Sequence, residues 1–194
     1  FGEDRAYRPR NEQERRIIEM YETWHLSGAD NLDLGVVFLE NAYQILKPEG
    51  RLGIVLSNSI ASINRWQTVR EWLMERMRIV ALFDLPSNVF AETGVNTTLI
   101  IAYKAKPQAL KKLSEQDYSI FVRDIRNVGY EKRTSKRNVF FNPIYRLNES
   151  TFDVLTDDEG HPVLLEDFSQ TITDFRQWAL GQEETLQRLF LKEA

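Results

Sequence analysis

Cysteine is absent from this 194-residue chain, which excludes a disulfide framework and any thiolate metal site. Its two histidines, His25 and His161, are too few for a histidine-rich metal centre, and no metal is expected. No two of the nine glycines are spaced as G-x-G, so neither a dinucleotide fingerprint nor a Walker loop is written in it. A G-x-S-x-G elbow and an H-E-x-x-H pair are missing as well. No apolar run approaches the ~20 residues that a bilayer-crossing helix needs, so no membrane partner is expected and the expected location is cytoplasmic. The net charge of −4 gives no global electrostatic case for nucleic acid, and any such case must be local. What remains is 42% hydrophobic and 28% charged, enough apolar surface for one domain with a core.

The periodicity of the middle of the chain alternates between helix and strand. Asp30 or Asn31 is the candidate N-cap of a helix on which Leu34, Val37, Phe38, Ala42, Ile45 and Leu46 recur at helical spacing. Lys47-Pro48-Glu49-Gly50 stops it with a turn signal. Leu52 to Leu56 is a continuous apolar run, the mark of a strand covered on both faces. Trp66, Val69, Leu73 and Met77 then mark one face of a second helix. Ile79 to Phe83 is a second buried strand ending before Pro86, and Thr97 to Tyr103 is a third. Helix–strand alternation implies a parallel sheet with right-handed crossovers. The third strand follows too closely for a helical crossover, so it is expected to return antiparallel, as an edge hairpin. A fourth strand is expected over Tyr118 to Val122.

Charge divides the remainder. Arg123 to Arg137 holds six basic residues against two acids, and Asn148 to Ala194 holds eleven acids against three basic residues. Asp157-Asp158-Glu159-Gly160 lacks the alternating ligand spacing of a calcium loop and reads as a turn between short strands. Leu165, Phe168, Ile172, Phe175 and Ala179 form an apolar helical seam, and Leu186, Leu189 and Phe190 a second one. The first seam needs a partner surface, either this chain's own sheet or the helices of another subunit.

The segment from Leu46 to Lys104 carries a family resemblance. Leu46-Lys47-Pro48-Glu49-Gly50-Arg51 with Ile54-Val55-Leu56-Ser57-Asn58 resembles the "LKPGGR…VLPN" stretch of amino-group DNA methyltransferases. Asp84-Leu85-Pro86-Ser87-Asn88-Val89-Phe90 with Thr93-Gly94-Val95-Asn96-Thr97 resembles that family's "GLPSGVF…TGVKT". Asp124 to Tyr130 is similar to the "D…GY" element after the family's last strand. The resemblance points to the modification subunit of type I restriction–modification systems, an adenine-N6 methyltransferase that uses S-adenosylmethionine. It covers roughly residues 1–135 and, more loosely, the tail.

The resemblance implies a fold, partners and a site. The fold class is α/β: the C-terminal half of a Rossmann-like methyltransferase domain, with an acidic helical tail. Phe1-Gly2 falls where the family's Asn-Pro-Pro-Phe motif ends, so the chain is expected to be a piece of a longer one, beginning inside that motif. The alternative is that Phe1 is an arbitrary start. Domains are expected at 1–122 (catalytic part), 123–147 (basic connecting segment) and 148–194 (acidic, mostly helical tail). The parent would extrude adenine from the duplex, because N6 is inaccessible inside the stack. Phe1 would then stack on the base. Phe90 would contact the flipped base too, or else staple its loop to the core. Asn58 and Ser59 follow a strand at its carboxyl end, where open α/β sheets bind ligands, although an Asn there is also a common turn residue. Arg126, Lys132, Arg133, Lys136 and Arg137 are the candidate phosphate contacts, or a solvated loop. The main S-adenosylmethionine loop would lie outside this chain, which alone would be inactive. Double-stranded DNA and a specificity subunit are the implied partners, with a restriction subunit as a further candidate. A non-catalytic docking module, for DNA or for another subunit, is the competing reading. A methyltransferase of RNA or of a release-factor glutamine is a third.

Overall fold

The computed structural model describes residues 6–27, 32–62, 64–87, 89–90, 94–135 and 138–191. The chain enters through a short strand β1 (Ala6–Tyr7), helices α1 (Glu12–Ile18) and α2 (Glu22–Ser27), and strand β2 (Leu32–Asp33), which pairs antiparallel with β1. Helix α3 (Leu34–Ile45) starts directly from β2, and its cap is Asp33, whose Oδ1 accepts from Gly35 N at 2.7 Å. The cap expected at Asp30 or Asn31 is thus displaced to Asp33; those two residues lie outside the described ones. Glu40 of α3 is 1% exposed. It accepts from Glu22 N, Thr23 N and the Thr23 hydroxyl, satisfying donors that the start of α2 leaves without helical partners.

The turn at Lys47–Gly50 closes with Gly50 N donating to Lys47 O at 2.8 Å, where a Cβ on Gly50 would meet that same oxygen at 2.8 Å. Beyond it come β3 (Arg51–Ser57), α4 (Ser59–Ser62), a 3₁₀ turn (Asn64–Trp66), α5 (Gln67–Met74), β4 (Arg78–Leu85) and β5 (Thr97–Tyr103). Helix α5 stops before Met77, which is nonetheless fully buried in the connection to β4. Then follow α6 (Pro107–Glu115), β6 (Phe121–Asp124), β7 (Tyr130–Ser135), β8 (Asn138–Pro143), α7 (Phe168–Ala179) and α8 (Glu184–Phe190).

The main sheet has the order β3-β5-β4-β6. Strand β5 is antiparallel to both neighbours, whereas β4 and β6 are parallel. The antiparallel return of β5 agrees with the sequence reading; its expected place at the edge does not. It lies inside, with Thr97, Thr98, Ile100, Ala102 and Tyr103 all buried. The Thr-Thr-Leu-Ile-Ile-Ala-Tyr run is apolar enough to be covered on both faces and paired on both edges.

Alternation along the strands sorts the core into two layers. Leu52, Leu56, Ile79, Ile100 and Ala102 pack under α3 and α5 with Val36, Leu39, Val69, Trp72 and Leu73. Val80, Ala81, Tyr103 and Phe121 pack on the other face with Leu110 of α6, Ala179 of α7 and Leu186 of α8. A register shift between Ile79 and Ala81 inserts one residue into β4, which lets the adjacent Val80 and Ala81 face the same layer. The result is a three-layer α/β arrangement, the expected fold class.

The tail is part of this body. Phe175 and Trp178 pack on Phe121 at 5.5 and 5.6 Å between ring centroids, so the first seam finds its partner on this chain's own sheet. The seam also splits. Helix α7 begins at Phe168 rather than Leu165, because Leu165 N donates to Ile144 O in an extended segment. Phe168 and Ile172 stay 41% and 53% exposed. Residues 144–166 are linked by isolated bridges, including Tyr145↔Leu164 and Thr156↔Pro162. The expected turn closes the second of these: Asp157 Oδ1 accepts from Glu159 N and His161 N, and Gly160 takes φ +84°.

Candidate functional site

Because β5 runs against its neighbours, its first residue meets the last residues of β3 and β4. Ser57 pairs with Thr97, and Thr97 with Leu85. Asp84 in turn pairs with Asp124 of β6. The carboxyl ends of three parallel strands therefore share one edge with the amino end of β5. Open α/β sheets place ligands at such an edge, and here it holds a cleft of about 460 Å³ lined by Asn58, Asp84, Leu85, Pro86, Asn96, Asp124, Ile125 and Arg126. Asn58 N donates to Asn96 O at 3.1 Å, and Ile125 N to Asp84 O at 2.9 Å. The two stretches that carry the family resemblance thus close on one another across the cleft.

Asn58 lines this cleft directly, and Ser59 begins α4 beside it. Asp84, Asn96 and Asp124 belong to the stretches that carry the resemblance but are not among the site residues expected from the sequence. Asp84 takes part through Thr98, whose hydroxyl donates to its Oδ1 at 2.8 Å, and Asp124 through Arg126 at 3.0 Å. A carboxylate within the last two residues of each of two neighbouring parallel strands is the signal the sequence offers. Among the described residues, the hydroxyl of Thr97, fully buried at the same edge, finds no hydrogen-bond partner.

Phe90 is half-buried on the loop that leaves the cleft at Pro86. Its neighbour Val89 packs against the small cluster of Leu85, Ile125 and Val128, which ties this part of the loop to the core. The β7 strand holds both residues by their backbone. Tyr130 Oη donates to Val89 O at 2.8 Å, and Lys132 Nζ to Phe90 O at 2.9 Å.

Within the basic run Arg123 lies on β6, Arg126 in the connection after it, and Lys132 and Arg133 on β7, which pairs with β8. Arg126 and Arg133 are ion-paired with Asp124 and Glu131 at 3.0 and 2.9 Å, and Arg123 with Asp174 of α7 at 2.5 Å. Interleaved aromatics are present: Tyr130 meets Phe141 edge-on at 5.0 Å, and Phe140 and Phe141 are 50% and 43% exposed. Phe1, Lys136 and Arg137 lie outside the described residues. The base of the hairpin is fixed by Asp167, which accepts from Arg126 N and Asn127 N at 2.8 Å. Partial burial pushes the Asp167 carboxyl up, but the N–H donors of Asn127 and Arg126 outweigh it and hold the group below its ordinary value.

S-adenosylmethionine, the cofactor the resemblance implies, does not fit this chain's residues alone. The cleft is lined by two carboxylates and two amides, with no glycine to admit a close backbone approach. The Asn58 and Ile125 N–H groups that point along it are already bonded within the protein. Among the described residues no cluster of three metal-ligating side chains occurs, and no helix is long and apolar enough to cross a membrane.

A sequence model of the family described as N-6 DNA Methylase matches residues 6–169. A Methanocaldococcus jannaschii protein described as a type II restriction enzyme and methyltransferase is 31% identical over 77 residues, 40% of this chain and 6% of that protein. Among solved structures, the M protein of the type I restriction enzyme EcoKI is similar over 39% of this chain and 16% of its own, at 21% identity and a TM-score of 0.37. A protein from Listeria monocytogenes described as a class I S-adenosylmethionine-dependent methyltransferase is similar over 61% of this chain and 33% of its own, at 13% identity and a TM-score of 0.44. The chain thus spans only a small part of the length of the proteins it matches.

Proposed function

We infer the function from one premise, that this chain belongs to the N-6 DNA methylase family, and propose that it supplies the base-holding part of a DNA adenine-N6 methyltransferase, the modification subunit of a type I restriction–modification system. One observation carries the reading: the two stretches resembling family motifs line a single cleft at the carboxyl edge of the sheet, with the Phe90 loop at its rim. In this reading an extruded adenine enters the cleft. Phe90 stacks on its face, a contact worth ~1–3 kcal/mol per base, and the Asn58 and Asn96 amides meet its polar edge, the side chain suited to adenine.

Phosphate contacts fall to Arg126 and Arg133, joined by Lys136 and Arg137. The Arg126–Asp124 pair is highly exposed, with side chains 80% and 64% accessible. An ion pair of that kind contributes only about 0–1 kcal/mol, so exchanging the carboxylate for a phosphate costs little. Methyl donation needs S-adenosylmethionine, which the remainder of the full-length protein would hold against the base that this chain positions.

The domain assignment follows. Residues 1–122 form the C-terminal part of the catalytic domain, 123–147 the basic segment and 148–194 the tail. Among the described residues β3 pairs on one side only, with β5. Beside it runs an apolar groove of about 520 Å³ whose lining includes Phe38, Ala42, Ile45 and Ile54, with Phe38 64% and Ile45 84% exposed. A bare apolar strand edge is an aggregation liability, and the remainder of the sheet would cover it. The exposed pair Phe168 and Ile172 favours a second reading, a subunit-docking module.

Calorimetric titration and transfer of labelled methyl groups to adenine-containing duplexes test the proposal. The chain alone should neither bind S-adenosylmethionine nor methylate, and the full-length protein should do both. In the full-length protein Phe90→Ala should lower turnover and the fluorescence of 2-aminopurine at the target position. Micromolar cofactor binding by the chain alone would sink the division of labour. A full-length protein that binds DNA or a specificity subunit without methylating would favour the docking module.

A further inference from the structure

We propose that Tyr130 and Lys132 are positioning residues that latch the Phe90 loop to the rim of the cleft, acting on the substrate only through that loop's backbone. The inference rests on the proposed base-holding role of Phe90. Tyr130 and Lys132 are alternate residues of β7, so their side chains leave the same face of the strand. They take hold of consecutive carbonyls, Val89 O at 2.8 Å and Phe90 O at 2.9 Å. Two donors on adjacent carbonyls fix both the position of the loop and the direction in which the Phe90 ring leaves it.

The latch is rooted in rigid structure. The Tyr130 ring stands edge-on against Phe141 at 5.0 Å and packs, as Val89 does, on Leu85, Ile125 and Val128. Immediately before it, Gly129 takes φ +84° and exchanges hydrogen bonds with Leu165 O and Ile144 N at 2.9 Å each. Asp167 accepts from Arg126 N and Asn127 N one turn earlier. The strand that carries both donors is therefore held from the cleft side and from the tail side, while the loop they grip has Val89 as its core contact. Lys132 is partly buried, and its ammonium sits on a carbonyl in place of a phosphate.

Full-length protein carrying Lys132→Met, Lys132→Arg or Tyr130→Phe tests this, because a phosphate contact and a latch leave different signatures. Loss of a phosphate contact lowers the slope of log affinity against log salt by about one. Loss of the latch leaves that slope alone. We expect Lys132→Met and Tyr130→Phe to reduce kcat roughly tenfold each, the scale of one lost hydrogen bond in a rate, with KM for DNA nearly unchanged. Chymotryptic cleavage after Phe90 should accelerate in both, and Lys132→Arg, which keeps a donor, should restore much of the rate. A lowered salt slope in Lys132→Met with cleavage unchanged would overturn the proposal, as would wild-type kcat and cleavage in both variants. A wild-type protein that leaves adenine unmethylated removes the functional reading instead, and the latch then stands or falls on the cleavage rate.

Discussion

Arg78 and Glu183 are 105 positions apart in sequence and 3.0 Å apart in the fold. The Arg78 side chain has no exposed surface. Its guanidinium lies 4.2 Å from the centre of the Tyr118 ring and also donates to Ile79 O. Glu183 also accepts a hydrogen bond from the Tyr103 hydroxyl at 2.9 Å. Burial, and then the Glu183 carboxylate, push the Tyr103 pKa well above its ordinary value. One carboxylate at the start of α8 thus fastens the tail to the beginning of β4 and the end of β5.

Removing that carboxylate should be severe. Glu183→Ala leaves a buried cation without its counter-charge, a change that typically costs about 3–5 kcal/mol. The double replacement Arg78→Met with Glu183→Leu should be markedly less harmful, since it removes both charges. Urea unfolding of the two variants measures the difference, and equal loss in both would mean that packing rather than charge holds the tail.

Glu49 occupies left-handed backbone at φ +62°, where the resembled motif has glycine. Its carboxylate pairs with Arg188 at 2.7 Å, and both Glu49→Gly and Glu49→Ala remove that bridge. The comparison therefore isolates the backbone. Glu49→Gly should be the more stable of the two by about 1 kcal/mol, the cost of placing a Cβ in that region. Thermal unfolding that ranks alanine at or above glycine would refute it.

Thr97 offers a gain. Its buried hydroxyl finds no partner among the described residues, and such a group carries a desolvation cost of about 1–3 kcal/mol. Thr97→Val should raise stability by about 1 kcal/mol, or ~2–4 °C in Tm at this size. A lowered Tm would show that the hydroxyl is satisfied in solution.

The base of the hairpin should be acid-sensitive. A carboxyl held below its ordinary pKa stabilises the fold while ionised, so the Asp167 contribution is whole above the ordinary value of 3.8. It is lost as pH falls through the lowered value. Stability of the wild-type chain should drop below about pH 4, and Asp167→Asn should flatten that drop. Urea midpoints measured across this range decide it; an unchanged slope would place the acid sensitivity elsewhere.

The strands were legible in the sequence because continuous apolar runs have few other uses. Leu52 to Leu56, Ile79 to Phe83 and Thr97 to Tyr103 all lie within observed strands. The place of β5 in the sheet was not, since pairing on a second edge leaves no local mark beyond burial. Helix α6 is missing from the sequence reading although Pro107 stands in its first turn, a standard start signal. Asn58 could be placed at a strand end by pattern alone. The charge at Arg78 and the grip of Lys132 on Phe90 O could not be anticipated, because their partners are 105 and 42 residues away. A lysine in a basic run carries no local sign of whether it faces a phosphate or a carbonyl.

The insertion of β5 between β3 and β4 has a corollary for chain connectivity. The loop that carries Phe90 joins two strands that are already paired, and β5 is gripped along its whole length from the other side too. Its ends are fixed whatever lies between them, and doubling its length would cost only ~0.6 kcal/mol in closure entropy. The sheet's register therefore does not depend on the length of this stretch, whereas the proposed base contact depends on the placing of Phe90 within it. Chains split at this point should still reassemble from two halves, because strand pairing and not the loop sets the register.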